Sequence, residues 1–109
     1  MARLDGKEME SVRSVLNSIL ADFPGSRVWL FGSRAKENAR GGDIDFLIEI
    51  KVPVRDAADL KRKWARLFKD RMGEQKIDIV LKYPGAKPSS FYDLAKSEGE
   101  IIWSHPRPS

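Results

Sequence analysis

The chain contains no cysteine and one histidine, His105, close to its end. The first absence excludes a disulfide framework and a thiolate zinc site. The second leaves nucleophilic triads and zinc hydrolysis without their usual bases and ligands. No apolar run approaches the roughly 20 residues that cross a bilayer, and no signal-peptide core opens the chain, so a cytoplasmic protein with no membrane contact is expected. A Gly-x-x-x-x-Gly-Lys-Ser/Thr phosphate loop is missing, as are internal repeats and low-complexity tracts. Charge of one sign is not dominant either. Lys and Arg number 20 against 16 Asp and Glu, a net +4 that suits nucleotides, nucleic acid or an acidic protein partner without selecting among them.

At 109 residues the chain holds one core and leaves little room for a second module. The reading is one domain over 1–104 and a flexible tail over 105–109. Met9, Val12, Leu16, Ile19, Leu20 and Phe23 recur at helical spacing from Asp5 to Asp22, a helix that Pro24-Gly25 ends. Arg27 to Phe31 reads as a strand, Arg34 to Ala39 as a short helix, and Asp43 to Lys51 as a second strand. Asp56 to Met72 is a second long helix, with Leu60, Trp64, Leu67 and Phe68 on one face. Lys61, Arg62, Lys63, Arg66, Lys69 and Arg71 make its other face basic, most simply a solvated side. Lys76 to Lys82 is a third strand. Ser89 to Ser97 forms a last helix with Phe91, Leu94 and Ala95 inward, and Glu100 to Trp103 a short final strand.

The chemistry is concentrated between the first two strands. Gly32-Ser33 follows the apolar run Val28-Trp29-Leu30-Phe31 and precedes a segment that can begin a helix. Backbone N–H groups at a helix start bind anions, and glycine lets the backbone approach a phosphate. Gly41-Gly42 then releases the chain into Asp43-Ile44-Asp45. In a strand, residues i and i+2 share a face about 6.5 Å apart. Asp43 and Asp45 therefore face one way, and Ile44, Phe46, Ile48 and Ile50 the other. Like charges held together favour a cation between them, and Mg²⁺ takes carboxylates together with substrate phosphates.

In the third strand Ile77, Ile79 and Leu81 share a face, which leaves Asp78 on the other with Val80. An acid within an apolar strand is costly unless paired, hydrogen-bonded or bound to metal. If the second and third strands align their apolar faces, Asp43, Asp45 and Asp78 converge. Three carboxylates can hold two Mg²⁺ ions about 3.5–4 Å apart, the arrangement used for in-line phosphoryl chemistry.

The pattern Gly-Ser, linker, Asp-x-Asp, later Asp resembles the signature of the DNA polymerase β-like nucleotidyltransferase superfamily, and within it the minimal nucleotidyltransferase (MNT) proteins. The resemblance covers most of the chain. It implies an α/β chain of the α+β type, a small mixed β-sheet with helices packed mainly on one face. It also implies that Gly32 and Ser33 contact the nucleotide phosphates, with Arg34 and Arg40 as further phosphate contacts. Asp43 and Asp45 would ligate both metals, and Asp78 would complete the site and help activate the incoming hydroxyl.

The activity so implied is Mg²⁺-dependent transfer of a nucleoside monophosphate from an NTP, AMP from ATP foremost, to a hydroxyl, with release of pyrophosphate. Larger relatives add a domain that grips the acceptor. This chain has none, so the acceptor is expected on a separate subunit. MNT proteins are commonly paired with a HEPN toxin and act as its antitoxin, some by adding AMP to a toxin tyrosine. Two other readings stand beside this one. A catalytically idle module would neutralise its partner by complex formation, although all three aspartate positions are filled here. A small nucleic-acid-binding domain would rest on the basic helix alone, without the interleaved aromatics of a base-stacking surface. Oligomeric state is left open.

Overall fold

The computed structural model describes residues 4–32, 44–73 and 76–107. Ser33, Arg34, Arg40, Gly41-Gly42, Asp43 and the short helix expected over Arg34 to Ala39 lie outside the described residues. The elements are α1 (Gly6–Ile19), β1 (Arg27–Phe31), β2 (Ile44–Glu49), α2 (Ala57–Met72), β3 (Ile77–Lys82), α3 (Ser90–Glu98) and β4 (Glu100–Ser104). The four strands form one mixed sheet in the order β3-β2-β1-β4. β1 runs antiparallel to both β2 and β4, and β2 runs parallel to β3. A parallel pair needs a crossover connection, which α2 supplies.

Short polar residues set the helix starts. Asp5 accepts from the Glu8 amide at 2.7 Å while the Asp5 amide donates to Glu8 Oε1 at 3.1 Å, a reciprocal capping box. Asp56 caps α2 by accepting from the Asp59 amide, and Ser89 caps α3 by accepting from the Phe91 amide. Gly73, at φ 79°, ends α2 in the left-handed region that glycine enters without strain.

The strands bury both faces unequally. Ile44, Phe46 and Ile48 of β2 point with Val28 and Leu30 into a core closed by Val12, Val15 and Leu16 of α1 and by Trp64 and Phe68 of α2. Phe46 and Phe68 meet there with ring centroids 5.1 Å apart, each contributing about 1.5–3 kcal/mol by burial. The opposite face carries α3, whose Ala95 closes a smaller cluster with Trp29 and Leu47. Two helices lie on one face and one on the other.

Three expectations are corrected. Leu67 of α2 and Leu94 of α3 are exposed, and Phe91 is 39% exposed, so neither helix turns its whole apolar stripe inward. The nine residues of α3 rest on the sheet mainly through Ala95, too narrow a contact to cover all three apolar side chains. The tail expected to fray from His105 onward is instead held as far as Arg107. The His105 amide donates to the Ser26 carbonyl, and the Gly25 amide donates to the Arg107 carbonyl.

Candidate active site

Asp45 is the second residue of β2 and Asp78 the second of β3, and the parallel register pairs them directly. Paired positions of neighbouring strands send their side chains to the same face, with the strands about 4.8 Å apart. On its other side Asp45 is paired with Phe31, the last residue of β1. A row thus crosses the sheet as Asp78, Asp45, Phe31. Gly32 follows Phe31 at φ 76°. A Cβ at Gly32 would overlap the Asp45 carboxylate, whose Cγ lies 3.1 Å from that position. Glycine serves there twice, for its backbone angle and for the close approach of the Asp45 carboxylate.

Asp45 is half-buried and Asp78 exposed. The expectation that Asp78 is a costly carboxylate inside an apolar strand is corrected by its place. β3 is an outer strand of the sheet, and Asp78 is open to water. The two acids nonetheless share one row and one face. Phe91 of α3 stands beside this row, its ring edge-on to Phe31 with centroids 5.4 Å apart.

Beyond α3, at the far end of the same face, lies a third acid that the sequence reading passed over. Glu49 is 5% exposed. Lys96 Nζ donates to its Oε2 at 2.7 Å and Arg27 Nη2 to its Oε1 at 2.9 Å. Lys82 Nζ stands 3.3 Å from Oε2 and Lys51 Nζ 3.7 Å from Oε1. Burial alone would raise the Glu49 carboxyl. The hydrogen bonds from Lys96 and Arg27, the charge of Lys96 and the bond from Lys82 outweigh it and lower the group from 4.5 to about 2. Trp29 lies beneath, with the Arg27 guanidinium 5.3 Å and the Lys96 ammonium 4.9 Å from its ring centroid. The signal was available in the alternation itself. Glu49 shares the face of Asp45, and Lys82 that of Asp78, so a parallel register brings acid and base together.

Of the residues singled out from the sequence, Gly32, Asp45 and Asp78 come together, while Ser33, Arg34, Arg40 and Asp43 lie outside the described residues. A larger cleft of about 530 Å³ lies elsewhere, lined by Asn17, Ala21, Asp22, Trp103, His105 and Arg107 among others. Both ring nitrogens of His105 are engaged with backbone groups, Nε2 with the Ala21 carbonyl and Nδ1 with the Arg107 amide. That cleft therefore offers no free imidazole base, and the carboxylate row remains the candidate.

Comparison with known proteins decides the class. A family model described as "Nucleotidyltransferase domain" matches residues 12–102. The chain belongs to the nucleotidyltransferase domain family. No curated protein matches it in sequence. Its fold is similar to that of a putative nucleotidyltransferase from Sulfolobus solfataricus, at TM-score 0.60 and 18% identity over 90% of this chain and 81% of that one. It is also similar to a chain from the complex of tri-AMPylated Shewanella oneidensis HEPN toxin with MNT antitoxin, at TM-score 0.59 and 14% identity over 88% and 69% of the two chains. A chain of the toxin–antitoxin MntA-HpeT matches at TM-score 0.63 and 13% identity over 90% and 74%. These similarities carry the nucleotidyltransferase fold, a mixed sheet with three described helices. Among the described residues no helix is long and apolar enough to cross a membrane.

Among the described residues no three His, Cys, Asp or Glu side chains form a metal-binding group. Asp45 and Asp78 nevertheless fit a hard cation. They are oxygen donors, adjacent in register, and the bare backbone of Gly32 lets the Asp45 carboxylate lie close against it. Mg²⁺ held by one or two carboxylates draws its remaining ligands from water and phosphate.

Proposed function

We propose that this nucleotidyltransferase domain transfers AMP from ATP to a hydroxyl of a partner protein of the HEPN type, acting as an MNT antitoxin. The observation that carries the reading is the pairing of Asp45 with Asp78 on one face, beside the glycine that follows β1. The hydroxyl oxygen of the acceptor bonds to the α-phosphorus of ATP, and the bond from that phosphorus to pyrophosphate breaks. Gly32, with Ser33 after it, admits the triphosphate close to the backbone. Asp78, the more exposed of the two acids, takes the hydroxyl proton. Asp43, Asp45 and Asp78 would hold Mg²⁺, which would neutralise phosphate charge and polarise the reacting oxygens. Arg34 and Arg40 add phosphate contacts.

Support for the acceptor comes from similarity in fold to a chain of the complex that contains a tri-AMPylated HEPN toxin. The test combines α-labelled ATP, Mg²⁺, the chain and a HEPN-type protein as acceptor. Label should appear on the HEPN protein and fall by about 10²–10⁴-fold in Asp45→Asn and in Asp78→Asn. No label with the intact chain, or label that survives both substitutions, rejects the proposal.

A further inference from the structure

The Glu49 cluster has more positive charge than its own carboxylate can use. Arg27, Lys51, Lys82 and Lys96 all lie within ion-pair distance of the one acid, which leaves an excess of three positive charges. These cations are held in place. Arg27 and Lys96 are fixed by the buried carboxylate and by the Trp29 ring between them. Lys82 lies 5.8 Å from the centroid of the Tyr92 ring. Their side chains are still 26–44% exposed, and a lysine has three donors and an arginine five.

The basic face of α2 is organised differently. Arg62 and Lys63 are each 70% exposed and share Asp59 at 3.6 and 3.2 Å, the loose geometry of solvated pairs worth little. An anion that docks at the Glu49 cluster meets cations already ordered and partly stripped of water. One that docks on α2 must order them first.

We infer that the Glu49 cluster, formed by Arg27, Lys51, Lys82 and Lys96 across β1, β2, β3 and α3, is a docking surface for an acidic segment of the acceptor protein. The inference rests on the reading that the acceptor is a protein. Glu49 follows Asp45 by four residues on the same face of β2, which puts the cluster about 13 Å from the reacting row. One bound protein spans both, with carboxylates at the cluster and its hydroxyl at the row. A nucleic acid is the weaker match. Single strands bind through free aromatic faces between the cations, and Trp29 is 8% exposed beneath its two cations.

The probe is a fluorescein-labelled oligoglutamate peptide, read by anisotropy without nucleotide and at two ionic strengths. Lys51→Gln with Lys82→Gln should weaken binding about tenfold or more, whereas Lys61→Gln with Lys69→Gln on α2 changes it less than about twofold. Lys51→Gln alone removes the loosest of the four contacts and should retain the wild-type melting temperature while weakening binding by a smaller factor. Equal weakening by the α2 pair overturns the inference. So does tighter binding of a single-stranded oligonucleotide of equal charge that the Lys51 and Lys82 substitutions abolish. Peptide binding is independent of AMP transfer. A chain that binds the peptide through the cluster but never labels its partner rejects the proposed activity and retains the docking surface.

Discussion

Asp45 and Glu49 stand on one face of one strand, separated by α3, and their neighbours differ in every direction. Across the ladder to β3, Glu49 meets Lys82 where Asp45 meets Asp78. Across to β1, Glu49 meets Arg27 where Asp45 meets Phe31 and the bare backbone of Gly32. The Glu49 end is supplied with counterions by the chain itself, and α3 is pinned there through Lys96. At the Asp45 end the chain sets a second carboxylate beside the first. An acid that holds a fold together is given its cations internally. Two acids facing one way are the kind of donor set that Mg²⁺ takes together with phosphate oxygens.

Substitutions at the two ends should therefore separate stability from activity. Glu49→Gln leaves four cations around a neutral amide and should cost about 2–3 kcal/mol, discounted for the partly exposed lysines. That corresponds to a fall in melting temperature of roughly 10 °C or more. Asp78→Asn, on an exposed side chain, should change stability by less than about 0.5 kcal/mol while removing AMP transfer. The carboxyl of Glu49 is lowered in the fold, so its contribution is complete above about pH 4.5 and is lost as pH falls toward about 2. Denaturant melts from pH 7 down to pH 2 should show the wild type and Glu49→Gln converging over that interval. A constant gap, or an Asp78→Asn protein as unstable as Glu49→Gln, would break the comparison.

A smaller effect is expected at Gly32, whose bare backbone lies against the Asp45 carboxylate. Gly32 and Gly73 have nearly the same backbone angle, φ 76° and 79°. A Cβ at Gly73 meets nothing within 4 Å, whereas one at Gly32 runs into the Asp45 carboxylate. Gly73→Ala should cost about 1 kcal/mol from its backbone angle alone and leave transfer intact. Gly32→Ala should cost about 1–2 kcal/mol and also lose transfer, because the carboxylate must turn away from the row. Equal transfer rates in the two variants would mean that the close approach of Gly32 to Asp45 has no role.

Much of this was legible in the sequence, and for identifiable reasons. The alternation of Ile44, Phe46 and Ile48 with Asp45, and of Ile77, Ile79 and Leu81 with Asp78, assigns both acids to one face once the strands are adjacent. Asp5, Asp56 and Ser89 announce the three helix starts by their short polar side chains. The alternation pairs Glu49 with Lys82, but its burial was not legible because a glutamate at a strand end reads as a solvated edge. Its burial depends on α3 crossing the second face, which local pattern does not encode. Phe91 and Leu94 were expected inward for the complementary reason. A helical stripe says which residues share a side, and the width of the surface beneath decides how many of them are covered. His105 to Arg107 reads as a frayed end since its partners, Ala21, Gly25 and Ser26, are held near it only by the sheet.

That clasp closes the Glu49 end of the sheet, since Arg27 is paired with Glu49 on one side and with Ser104 on the other. Nδ1 of His105 accepts from the Arg107 amide at 2.9 Å, so the proton resides on Nε2, which donates to the Ala21 carbonyl at 3.0 Å. His105→Ala removes both bonds from a largely exposed site and should cost about 1 kcal/mol. Hydrogen exchange resolves where the loss falls. The Gly25 amide, bonded to the Arg107 carbonyl, should exchange faster, while the Ile44 amide, bonded to the Lys76 carbonyl beside the acid row, keeps its rate. Faster exchange at both would mean that the two ends of the sheet open together, and the division between a braced end and a reactive end would be lost.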